Sequence, residues 1–486
     1  IRDGKPSPDG TMLAFTALNR LYVMELPNGT PKRLTNATYT EAMPSWSPDG
    51  KYVVYTTWKQ GGGHLYKVNV DGRPKVLQLT QKPGIYSYPE WSYTKNRIAF
   101  HKGTTQTYED AIGPVTRRAQ EDLVWISSDG GAIQFIDKAK GRQQPHFTKV
   151  DDRIYLSHGT KGLISIRWDG SDEKAHLKLK GIETYGSQDI FGKGHFDSKE
   201  PSYLPMIEDD RENNDKASRP SEVRISPDGR KALALINNDI FTVTIPRYGK
   251  TPTVSVASAD KAAFPAMKLT VLGGEFPAWG SDSKKVHWSL GASHFRYDLE
   301  AGKQFKDSVA AAKKKEKELK KTEKSSDSTK IDKKEEEKKD KEDKEDEKFT
   351  ADEFKIKVSY KRSIPTGNLL LKGGIIITMK GDEVIENGDI LIENNRIKAI
   401  GSSGSLTVPS DASVIDVQGK TLTPGFIDTH AHMWPNWGIH KNQVWVYSAN
   451  LAYGVTTTRD PQTATTDVLT YSDMVEAGML HGPRVY

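Results

Sequence analysis

The chain has 486 residues, of which 28% are charged and 35% hydrophobic, with a formal net charge of +6. At roughly 150 residues per domain this length predicts several domains, no apolar run approaches the roughly 20 residues of a membrane-spanning helix, and no basic stripe interleaved with aromatics marks a nucleic-acid surface. Cysteine is absent, which excludes disulfide scaffolds, thiolate catalysis and Cys-ligated zinc and leaves the compartment open.

Residues 1–300 read as a repeat array. Pro6-Ser-Pro-Asp-Gly-Thr-Met-Leu-Ala-Phe15 recurs as Trp46-Ser-Pro-Asp-Gly-Lys-Tyr-Val-Val-Tyr55 and as Ile225-Ser-Pro-Asp-Gly-Arg-Lys-Ala-Leu-Ala234. Degenerate copies start at Trp91 and Trp279, and a shorter one reads Lys149-Val-Asp-Asp-Arg-Ile-Tyr155. The first two copies lie about 40 residues apart, the length of one propeller blade. In each unit a Pro-Asp-Gly turn reverses the chain, and the apolar strand after it can be buried only against neighbouring units. Following strands are read at Arg20, His64, Leu123 and Asp239. These repeats resemble the TolB-like, WD40-related β-propellers. The repeats count to about six blades, with ring closure expected to draw on strands before Ile1; the resemblance implies a periplasmic or secreted location, with no signal peptide in this chain.

The propeller histidines, His64, His101, His146, His158, His195, His287 and His294, have no metal-ligand spacing and read as ordinary strand or loop positions. The polar stretch 182–219 reads as a surface excursion between blades. Residues 301–352, rich in Lys, Glu and Asp, cannot bury enough apolar surface to offset ordering; a disordered tether or a fraying single helix built on Glu-Lys pairs is expected there.

Residues 353–421 contain Gly-Asp-Ile-Leu-Ile-Glu-Asn-Asn-Arg-Ile-Lys-Ala-Ile-Gly from Gly388 and Val-Ile-Asp-Val-Gln-Gly-Lys from Val414. From 422 to 486 the run Thr423-Pro-Gly-Phe-Ile-Asp-Thr-His-Ala-His432 comes first. Strand alternation puts Phe426, Asp428, His430 and His432 on one face, so two imidazoles point the same way. A helix is expected over 441–452, a second strand over 455–459 ending beside Asp460, a second helix over 466–480, and a third strand after Gly482-Pro483. Together these segments resemble the amidohydrolase superfamily, in its imidazolonepropionase-like and dipeptidase-like branch. The resemblance implies a small β-sandwich at 353–421 followed by the start of an α/β (β/α)8 barrel at 422–486, truncated after its third strand begins.

The resemblance also implies a hydrolase acting on amide C–N bonds of a small or short peptide-like substrate. His430 and His432 would help to hold one or two divalent ions, zinc first among them. Asp428 is read as supporting the metal site or closing the strand, Asp460 first as a helix cap or loop hydrogen-bonding group and second as a group orienting substrate or a histidine, and Asn436 and Trp437 as a wall of the substrate pocket. The proton-shuttle aspartate and the remaining ligands are expected beyond Tyr486, so this piece alone is expected to be inactive. A prolyl-oligopeptidase-like peptidase shares the propeller but needs a Gly-x-Ser-x-Gly elbow, which Gly401-Ser-Ser-Gly-Ser405 does not provide. The competing reading is a propeller that binds a protein or peptide beside a non-catalytic barrel remnant.

Overall fold

The computed structural model describes residues 1–110, 119–182, 217–246, 249–324, 348–461 and 464–486. Six sheets of four or five strands make up the first 355 residues, antiparallel except where Thr253–Ser255 joins Lys174–Lys180 of the fourth sheet in parallel. Their first strands, Arg2–Pro6, Thr40–Trp46, Ile85–Trp91, Arg142–His146, Glu222–Ile225 and Glu275–Trp279, ring a central axis. The ring closes where Arg2–Pro6 packs against the sixth sheet, without a strand before Ile1. Each repeat copy in the sequence is the turn between the first and second strands of one blade.

The Ser-Pro-Asp-Gly turns share one set of bonds. Ser7 Oγ donates to Asp9, which accepts the Thr11 amide at 3.0 Å, while the Met12 amide donates back to Ser7 Oγ at 2.9 Å. Ser47 with Asp49 and Ser226 with Asp228 repeat the pattern. Glycine follows each aspartate because the backbone there is left-handed, with φ of 75°, 72° and 73° at Gly10, Gly50 and Gly229. Asp49→Ala and Asp228→Ala are each expected to cost about 1 kcal/mol, read as a lower denaturant midpoint at unchanged slope.

The second strand of each blade is apolar at successive positions because both its faces are buried. Val53 and Tyr55 pack with Ala14, Leu21 and Val23 of the first blade, while Val54 between them packs with Ile98 and Phe100 of the third. Ala99 turns the other way, toward Ile154 and Leu156 of the fourth. Indoles tie the ring further: Trp46, Trp91 and Trp279 donate to the carbonyls of Lys5, Ser45 and Arg224 in the preceding blades. Five of the six inner strands carry a bulge, with left-handed Asp3, Met43, Tyr88, Gln144 and Phe276 in or beside it. Bulges re-aim side chains, here around one mouth of the ring.

The charged segment begins as a helix and ends in a propeller strand. Residues 299–324 form one helix, Leu299–Lys324, whose length is consistent with the Glu-Lys alternative; residues 325–347 of that segment, most of the excursion 182–219 and His195 lie outside the described residues. Beyond it, Asp352–Lys355 pairs with Ser293–Asp298 as the outer strand of the sixth blade. The boundary drawn at 353 therefore falls inside a propeller strand, which four residues after a long charged run could not signal.

Strands Asn368–Ile377, Val384–Glu393, Arg396–Ser402 and Ser413–Asp416 make a separate sheet, with Thr421–Leu422 pairing to the first of them. Strands Phe426–Asp428, Val455–Thr458 and Arg484–Val485 then form a parallel three-stranded sheet connected by helices Trp445–Ala452 and Thr465–Glu476. The first helix starts four residues later than expected because Lys441 and Asn442 are engaged by the propeller. The second stops at Glu476, where Gly478 turns left-handed with φ 70°.

Candidate metal centre at the end of the parallel strands

The first parallel strand ends at Asp428, two residues short of the histidines. Asp428 Oδ1 accepts the His430 amide at 3.0 Å, and this turn, rather than an extended strand, aims the imidazoles. The expectation that Phe426, Asp428, His430 and His432 share one strand face is corrected accordingly. The histidines nevertheless converge, with His430 Nε2 3.1 Å from His432 Nε2. Two imidazoles on one tetrahedral ion at about 2.0–2.1 Å have nitrogens about 3.3 Å apart, so the pair fits two positions of a zinc-like centre. Among the described residues no third His, Asp or Glu joins them in a cluster.

Distance alone does not single out this pair. His287 Nδ1 and His294 Nε2 are also 3.1 Å apart, but both are fully buried in the sixth blade, and burial pushes the His287 pKa down to about 3. Such imidazoles are core groups. His430 and His432 are exposed and lie beyond the carboxyl end of a parallel strand, where ligands collect in α/β folds.

The surrounding residues are unequally placed. Asp460 is buried just beyond the second strand, and its amide donates to the Tyr486 carbonyl at 3.0 Å, linking the second strand to the third. Burial, with the Asp460 carboxylate adding, pushes the neighbouring Tyr447 phenol up. Asn436 contributes its backbone: its carbonyl accepts Tyr471 OH at 2.8 Å. Trp437 is half-buried in the same loop, and the Trp434 ring lies edge-on to His432 at 6.2 Å.

One cluster had no signal in the sequence. Asp467, in the first turn of the second helix, accepts from Arg2 of the first blade and from the Gly438 amide at 2.9 Å, with His440 Nε2 2.7 Å away. Burial works to raise the Asp467 pKa, but Arg2 and His440 outweigh it and hold the carboxyl below the usual range. Burial, reinforced by Arg2, pushes His440 down to about 4. Arg2 and Asp467 are 465 residues apart, so neither pattern nor spacing reveals them.

Comparison with known proteins divides along the same line. The family model for the TolB beta propeller domain matches residues 4–124. A TolB homolog from Chlorobaculum tepidum is 29% identical over 143 residues, 28% of this chain and 29% of that protein. A dihydroorotase from Geobacter sulfurreducens is 46% identical over 68 residues, 14% of this chain and 15% of the enzyme. The chain thus spans under a third of the length of these relatives. The solved TolB from Acinetobacter baumannii covers 61% of this chain and 60% of its own, at 11% identity and a TM-score of 0.38. A short stretch of this chain is thus similar to an amidohydrolase, and its N-terminal part, a six-bladed β-propeller, is similar to TolB over residues 4–124.

Proposed function

We propose that this chain belongs to a metal-dependent amidohydrolase, in which the parallel strands after Leu422 begin a (β/α)8 barrel and His430 and His432 hold a divalent ion, zinc first among the choices. The observation that carries this reading is the 3.1 Å approach of two exposed imidazole nitrogens at the carboxyl end of the first parallel strand. The similarity to a dihydroorotase supports the reaction class. A bound ion would supply Lewis acidity, making water nucleophilic near neutral pH. The chain's own residues do the rest: Asp428 fixes the turn that aims the histidines, buried Asp460 ties the strands behind them, and the 434–437 loop walls the approach. The substrate class is a cyclic or open amide, such as a dipeptide or an N-acyl amino acid, met in the periplasm or outside the cell.

Exposed apolar side chains support a continuing barrel. Phe426 and Ile427 are 63% and 67% exposed on the first parallel strand, and Trp445 is 81% exposed at the start of the first helix, surfaces that further barrel elements would cover. The test is a panel of dipeptides, N-acyl amino acids and cyclic amides offered to the full-length protein. Turnover that falls by about 100-fold or more in His432→Ala supports the proposal, and turnover unaffected by that change refutes it.

A second reading has an observation of its own. The propeller mouth framed by Pro6, Pro8, Pro48 and Pro227 opens on a cavity of about 90 Å³ walled by Trp46, Trp91 and Trp279. A cavity this small admits a single side chain at most, so a propeller serving as a peptide-binding module would take the peptide across this mouth.

A further inference from the structure

His430 and His432 lack the usual means of orientation. Metal-ligating imidazoles commonly donate their second nitrogen to a carboxylate or carbonyl. Among the described residues, the ring nitrogens of this pair have no hydrogen-bond partner but each other. Their placement rests on the backbone: the short strand before them and the loop 433–444 after them. That loop is anchored mainly from outside its own domain. Arg2 Nη2 donates to the Gly438 carbonyl at 3.0 Å and Tyr108 OH to the Ile439 carbonyl. Asn19 Oδ1 lies 2.8 Å from His440 Nδ1, and Thr40 Oγ1 donates to Asn442 Oδ1 at 2.6 Å. Arg2, Asn19, Thr40 and Tyr108 all belong to the propeller.

Arg2 is the centre of this arrangement. Its guanidinium is buried, binds Asp467, touches His440 Nε2 at 2.9 Å and lies over the Phe276 ring. One side chain therefore fixes both the loop that leaves the histidines and the helix that packs behind it. A buried ion network of this kind contributes geometric definition more than net stability. Functional groups need placement to within about 0.5 Å, and long exposed loops do not supply that alone.

We infer that Arg2, reaching from the propeller's first strand, is a positioning residue for the His430–His432 site, acting through the loop 433–444, so that the propeller is a structural part of the metal centre. This rests on the metal reading above. It is tested by zinc affinity, measured by competition with a chromophoric chelator on the full-length protein carrying Arg2→Met, Arg2→Lys or Tyr108→Phe. Arg2→Met is expected to weaken zinc by about tenfold, the low end of the loss seen when groups supporting a metal site are removed, with partial recovery in Arg2→Lys. Tyr108→Phe removes one anchor while keeping the ring, so it tests the loop even if Arg2→Met fails to fold, and a smaller weakening is expected. Wild-type affinity in folded Arg2→Met, or in Tyr108→Phe if Arg2→Met does not fold, overturns the inference while leaving the metal reading intact. A wild-type protein that binds no zinc overturns both.

Discussion

Asp467→Ala is expected to destabilise the docked protein by about 3–5 kcal/mol, the cost of removing one partner from a buried ion pair. Among the described residues no other carboxylate is ion-paired with Arg2, and both side chains are almost wholly buried, at 5% and 9% exposure. Its removal strands the guanidinium and also frees the Gly438 amide and His440. Because Arg2 and Asp467 lie on different domains, the loss appears as uncoupling: the propeller should keep its own transition while the C-terminal part melts earlier. Denaturant unfolding followed by a propeller probe and a C-terminal probe separates the two. Combining Asp467→Leu with Arg2→Met should cost less than the sum of the single changes, because no buried charge is left unpaired.

Acidification is expected to unfold the propeller well above the pH at which ordinary carboxylates titrate. Burial pushes His101, His146 and His287 down to about 3, with nearby cations adding in each case, from the usual 6.5. A depressed imidazole is neutral in the fold and charged in the unfolded chain. Stability is therefore complete above about pH 6.5 and falls as pH drops toward 3. At about pH 5 each of the three favours unfolding by about 2 kcal/mol, which together rivals the total stability of a typical domain. Asp3, Glu41 and Glu275 oppose this, since burial raises their carboxyls and acid relieves them. The check is a series of urea midpoints from pH 7 to about pH 4, with His101→Leu flattening the slope. A midpoint independent of pH over that range would contradict the assignment of these imidazoles as buried and neutral.

The propeller was readable because its information is local. Ser7, Asp9 and Gly10 specify a turn within five residues, and the apolar run after it needs only a neighbouring copy to bury it. Even the degenerate copies at Trp91, Lys149 and Trp279 lead into the second strands of their blades, since the strand pattern survives where the turn residues change. What the sequence hid depends on distant partners. The outer strand Asp352–Lys355 is identified only by its pairing with Ser293–Asp298. The His430–His432 pair stood out by its spacing, but strand alternation misplaced its cause: the Asp428 turn, not an extended strand, brings the nitrogens together. The Arg2–Asp467–His440 cluster lies at the junction of two domains, where no periodicity connects the residues.

The account turns on whether His430 and His432 hold a metal. The direct measurement is elemental analysis of the full-length protein beside a His430→Ala, His432→Ala double variant, both purified with zinc present. The account predicts near-stoichiometric zinc, or another divalent ion, in the wild type and its loss in a variant whose propeller still unfolds normally. A folded, metal-replete wild type that retains no ion, or a double variant that keeps it, would contradict the account and leave the propeller mouth as the better guide to function.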